Sequence, residues 1–254
     1  MVLQHQVFFS KRDRATRTGP SGSDHLRWVP MRSTLMHTGR TSSASISPIR
    51  TTTITSEARP FSKHFPRAKI RATGRATGEA ASRMENGHCP ERLQGLWEKL
   101  FPGEIPDAFA SAEALPQDEF DLEREKLIVV RLGHTDCDET TALWVPSAGL
   151  LVAVYGSTHP YMGESGTLEA RLTWITALDK LAALKPMVVV GGHTNPNSPL
   201  GPDAISQTRT YVEDFNRTVE SQAAEEIYAR MMDCYPSCLN PGSLWAGAAL
   251  SKPK

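Results

Sequence analysis

Two apolar, β-branched runs each end in glycine and then histidine: Leu127-Ile128-Val129-Val130-Arg131-Leu132-Gly133-His134 and Met187-Val188-Val189-Val190-Gly191-Gly192-His193. Nothing else in the chain restricts the fold as strongly. Such runs form strands, and a glycine lets the backbone turn sharply out of the sheet. The next side chain then stands at the sheet's rim, where rigid strands can hold a metal ligand or a catalytic group. Two such rims point to one shared site. Asp136 and Asp138 follow the first histidine closely, in Thr135-Asp136-Cys137-Asp138.

The surrounding pattern is that of strands followed by helices. Residues 127–132 and 140–145 read as strands, and Pro146-Ser147-Ala148-Gly149 reads as a turn into a third strand over 150–155. Leu168, Leu172, Ile175, Leu178, Leu181 and Leu184 recur at helical spacing, which predicts an amphipathic core helix closed by Lys185-Pro186. Residues 187–190 form a fourth strand, 203–230 one or two helices, and 79–100 an earlier helix. A layered α/β domain accommodates this order.

Composition divides the chain. Residues 1–75 hold 14 of the 28 Lys/Arg but 3 of the 28 Asp/Glu. Residues 1–59 are basic, rich in Ser, Thr and Arg, and nearly without apolar periodicity. Ordering them would bury too little surface to offset the entropy cost, so they are expected to be disordered, with a domain over 60–250. The formal net charge of zero supplies no field to recruit nucleic acid, and the apolar runs are too short to span a membrane. Cys234 and Cys238 have the spacing of half a zinc site but no matching second pair. Reduced thiols point to the cytoplasm. The Arg- and Ser-rich N-terminus also resembles a mitochondrial transit peptide, which leaves the mitochondrion as the alternative.

From about residue 65 to 245 the chain resembles the second half of a metallo-β-lactamase-fold hydrolase. Gly133-His134-Thr135-Asp136 and the hairpin Leu143-Trp144-Val145-Pro146-Ser147-Ala148-Gly149-Leu150 resemble that family's third-histidine motif and the strands after it. His159-Pro160-Tyr161 and Glu164-Ser165 match the following loop. Trp174, Ala177-Leu178-Asp179 and Leu184-Lys185-Pro186 match the helix before the last strand, and Gly192-His193 the last histidine. Asn240-Pro241-Gly242 and Leu244-Trp245 match the tail. The resemblance implies a partial αββα sandwich with a site at one edge. There, one or two zinc ions, or iron or manganese, would activate water against a small ester, lactone or lactam. It implies His134 and His193 as metal ligands. Asp136 and Asp138 become the candidate catalytic carboxylates, placed to orient His134. A small-molecule substrate, in a pathway of secondary metabolism that makes or degrades such compounds, is the implied context.

Two departures from the family pattern bear on activity. The family's upstream His-x-His-x-Asp-His cluster has no counterpart, and Ser56 stands where its first histidine is expected. The aspartate that bridges two metals is also missing from Val152-Ala153-Val154-Tyr155-Gly156-Ser157. His64 and His159 are the histidines left to complete a site; Tyr155 and Tyr161 are either pocket walls or ordinary packing. Without a full first half, one sheet face is expected to be uncovered. A homodimer through that face, an incomplete sequence or a decayed relic would each account for it. A metal-dependent hydrolase and a non-catalytic protein on the same scaffold are therefore the two expectations.

Overall fold

The strands that carry the site are continuous apolar runs because their sheet is buried on both faces, so successive side chains, which alternate sides, are all apolar. The computed structural model describes residues 44–46, 69–72, 99, 113–115, 117–122, 124–138, 140–153, 155–195, 198–220 and 223–252. Apart from Ala44–Ile46, the N-terminal segment 1–59 lies outside them. So do the predicted helix over 79–100, save Lys99, and His64.

Two sheets are present among the described residues. A three-stranded parallel sheet joins β1 (Ala44–Ile46), β2 (Lys69–Ala72) and β3 (Glu113–Ala114) in that order. The second sheet has five strands in sequence order: β4 (Glu119–Leu122), β5 (Glu125–Gly133), β6 (Thr140–Val145), β7 (Leu150–Val152) and β8 (Val188–Val190). β4 to β7 form an antiparallel meander, and β8 pairs parallel to β7. The β6–β7 hairpin closes through a 3₁₀ turn at Pro146–Ala148 with Gly149 left-handed after it, in line with the turn chemistry in the sequence.

The helices are α1 (Leu168–Ala183), α2 (Asp203–Val219), α3 (Ala224–Cys234) and α4 (Pro241–Leu250). They form one core with Leu132, Ala142, Leu151 and Val189 of the sheet, around Trp174, Leu178, Phe215 and Met231. The Thr167 hydroxyl starts α1 by accepting from the Ala170 amide at 3.2 Å. The buried stripe of α1 differs from the expected one. Arg171, Trp174, Ala177, Leu178 and Leu181 face the core, while Leu168 and Leu172 are 49% and 51% exposed. Large Trp174 sets the rotation of the helix, and a run of leucines by itself does not specify it.

Leu127, Val129, Leu143, Leu150, Val152 and Val190 on the other sheet face are also buried, packed with Leu115, Phe120 and Leu200. The expectation of an uncovered apolar face is therefore corrected: that face is covered. No helix among the described residues is long and apolar enough to cross a membrane.

Candidate functional site

β5, β7 and β8 run in the same direction, because β5 and β7 are each antiparallel to β6, and β7 and β8 are parallel. Their C-terminal ends therefore share one edge of the sheet. His134, Tyr155 and His193 leave the sheet there. β5 ends in an irregularity between Arg131 and Gly133, and Gly133 has φ +78° with open space around its Cα. Its backbone conformation alone calls for glycine. At the β8 exit the limit is space. A Cβ on Gly191 would lie 2.8 Å from the Gly156 amide nitrogen. The two segments approach closely enough for Tyr155 and His193 to pair as a parallel bridge, with the Gly156 amide donating to the His193 carbonyl at 3.1 Å.

Above this bridge the side chains converge. The Tyr155 hydroxyl donates to Asp136 Oδ2 at 2.7 Å. The Tyr155 ring stacks on the His193 imidazole, with centroids 4.9 Å apart and planes 23° apart, and lies 5.9 Å from the Trp174 ring. The Thr135 hydroxyl meets the other carboxylate oxygen of Asp136 at 2.9 Å. Burial, with the Asp136 charge beside it, holds the Tyr155 phenol well above its usual range, so it is a neutral donor. A cavity of about 50 Å³ remains, lined by Asp136, Cys137, Tyr155, Trp174 and His193 among others.

His134 stands next to this cavity and does not line it. Its Nδ1 is 2.7 Å from Asp138 Oδ1 and its Nε2 is 3.0 Å from Ser165 Oγ. The buried Ser165 hydroxyl also donates to the Thr135 carbonyl at 2.5 Å. Buried Arg171 anchors this turn, donating from Nη1 to the Ser165 and Gly166 carbonyls, both at 2.9 Å. Its Nε reaches Asn216, and its guanidinium lies 5.6 Å from the Phe215 ring centroid. The sequence reading missed Arg171. Its spacing to Trp174, Leu178 and Leu181 on one helical stripe was the available signal.

The four predicted site residues thus fall into two linked groups. Asp136 and His193 meet at the cavity through Tyr155; His134 and Asp138 form a pair beside it. His159 lies apart from the cavity, buried against α2 with Nδ1 2.8 Å from the Tyr211 hydroxyl. Burial pushes its pKa below the usual histidine value. Tyr161 is exposed.

A metal centre of the kind this arrangement suggests needs three or four donors with free lone pairs. Among the described residues, no three His, Cys, Asp or Glu side chains group so as to hold an ion. Both ring nitrogens of His134 are engaged, and an ion could reach Nε2 only by displacing Ser165. Asp136 is held by Tyr155 and Thr135. These residues do not fit a metal. Residues 53–61, where the upstream cluster was expected, are outside the described residues.

No protein-family model matches the chain, and no curated protein matches it. Solved structures do. A metallo-β-lactamase family protein from Thermus thermophilus superposes with a TM-score of 0.53 at 14% identity, over 82% of this chain and 72% of that one. The stereoselective inverting sec-alkylsulfatase Pisa1 from Pseudomonas sp. superposes with a TM-score of 0.54 at 12% identity, over 85% of this chain and 42% of that one. A double mutant of the PisA1 sulfatase gives 0.56 at 12% identity, with the same coverage. The chain therefore spans less than half the length of the sulfatase. It has the metallo-β-lactamase fold.

Proposed function

We propose that this metallo-β-lactamase-fold chain is a non-hydrolytic protein, one that keeps the scaffold as a binding partner and has replaced the metal chemistry with a closed side-chain network. One observation carries this reading: the Tyr155 side chain joins Asp136 to His193, its hydroxyl bonded to the first and its ring stacked on the second. Two further features support it. The remaining cavity, about 50 Å³, is several-fold smaller than the roughly 300–1,000 Å³ of ordinary ligand pockets. His134 has Ser165 on the nitrogen that would otherwise face an ion.

The test is metal analysis of the purified full chain, together with assays on activated esters, lactones and lactams. Well under one zinc, iron or manganese ion per chain, and no hydrolysis above buffer, is the expected result. A stoichiometric ion with metal-dependent turnover overturns the reading.

One feature favours the second reading, a metal-dependent hydrolase of a small ester, lactone or lactam. Asp138 holds His134 Nδ1 at 2.7 Å, as a carboxylate does when it orients a metal-ligating histidine. Under that reading His134→Ala and His193→Ala each abolish both metal content and turnover.

A further inference from the structure

The contacts around Tyr155 are those that would recognise a free phenol. A carboxylate oxygen, Asp136 Oδ2, accepts from the hydroxyl at 2.7 Å. An aromatic face, His193, lies 4.9 Å away, and Trp174 closes the other side at 5.9 Å with a tilt of 52°. Such stacked and tilted ring pairs are favourable beyond the area they bury. All three partners line the same cavity, together with Cys137 and Thr141. The Tyr155 side chain takes up the space that these groups enclose, and what is left, about 50 Å³, has room for a few waters.

The backbone at this position is pinned independently of the ring. Tyr155 bridges His193 on one side, and its carbonyl accepts from the Thr208 hydroxyl of α2 at 3.1 Å on the other. Gly191 packs against the Gly156 amide and the Tyr155 carbonyl carbon, at 2.8 and 3.2 Å from its would-be Cβ. A side chain removed here would leave a cavity, because the main chain has no room to collapse into it.

We infer that this cavity is a phenol-binding site whose occupant is the chain's own Tyr155. The inference rests on the non-hydrolytic reading above and deepens it. The site is filled because its ligand is built in, and the external ligand class it accepts once Tyr155 is gone is a small aromatic alcohol. Asp136 supplies the selectivity for the hydroxyl: an arene without one leaves Oδ2 without the donor that Tyr155 gives it, while Oδ1 keeps only the Thr135 hydroxyl.

The experiment is Tyr155→Ala in the full chain, titrated with p-cresol and, separately, with toluene, by calorimetry and thermal denaturation. The variant binds p-cresol, with its melting temperature rising by about 2–4 °C at roughly five times the dissociation constant. Toluene binds at least about tenfold more weakly, and the unsubstituted protein binds neither. A folded Tyr155→Ala protein without p-cresol affinity overturns the inference. So does equal affinity for toluene, or equal binding by the unsubstituted protein. The native chain supplies a second measurement if Tyr155→Ala does not fold. Under tetranitromethane, exposed Tyr161 is nitrated while Tyr155 is spared until the protein unfolds. Nitration of Tyr155 at the rate of Tyr161 overturns the inference. Metal-dependent turnover by the unsubstituted chain would count against the non-hydrolytic reading, whereas a failure of p-cresol to bind counts against the built-in phenol alone.

Discussion

The Tyr155 hydroxyl donates to the Asp136 carboxylate at 2.7 Å, across 19 positions of sequence. This bond ties the loop after β5 to the segment after β7, and the stacking of the same ring on His193 adds the segment after β8. Three chain segments at one sheet edge are thus held by a single side chain.

Tyr155→Phe keeps the ring and deletes the bond. Asp136 then loses a neutral donor to a charged acceptor, a contribution of about 1.5–3 kcal/mol. Urea denaturation should show a lower midpoint with an unchanged slope. An unchanged midpoint would mean that water replaces the phenol at no cost.

Arg171 offers a sharper contrast between similar residues. Its guanidinium serves the Ser165 and Gly166 carbonyls and Asn216 at once, from a buried position. A lysine ammonium lacks the planar fork to reach all three. Arg171→Lys should destabilise the protein by about 3 kcal/mol through buried acceptors left unpaired. It should also loosen Ser165, visible as faster hydrogen exchange at the Ser165 amide. A loss under about 0.5 kcal/mol would refute the anchoring role.

His159 makes stability depend on pH in a defined direction. Burial lowers its folded-state pKa below the usual value, and its Nε2 has no hydrogen-bond partner among the described residues. The unfolded chain therefore takes up a proton below about pH 6.5 that the folded chain refuses. Stability is fully present above that pH and falls as pH drops toward the folded value, by at most about 1.4 kcal/mol per pH unit. In denaturation midpoints between pH 7 and pH 5, His159→Phe should flatten this part of the profile. An identical slope in the variant would assign the effect to other groups.

The two faces of α1 should respond oppositely to substitution. Leu172 is 51% exposed and Leu178 is 1% exposed. Leu172→Lys should change stability by less than about 0.5 kcal/mol, and Leu178→Ala should cost about 2–5 kcal/mol. Comparable losses in thermal denaturation would show the helix rotated from its described position.

Much of the scaffold is legible in the sequence. The runs at 127–132, 140–145 and 187–190 became β5, β6 and β8, because β-branched residues flanked by turn chemistry leave few alternatives. Pro146 to Gly149 closed the expected hairpin. Gly133 marked the exit of the first histidine, since the turn there needs a positive φ. These are local properties, set by residues within a few positions of one another. The rest depended on packing. Leu172 belongs to the expected apolar stripe of α1 but lies exposed, while Arg171 is inside, because the fit of Trp174 against the sheet decides the helix's rotation. Tyr155 could be read as wall or filler from its sequence alone. Its role comes from β7 and β8 pairing in parallel, which brings residue 155 against residue 193, and from the β5 loop placing Asp136 over both. Such contacts join residues tens of positions apart, and only the sheet register, a property of the whole fold, brings them within bonding distance.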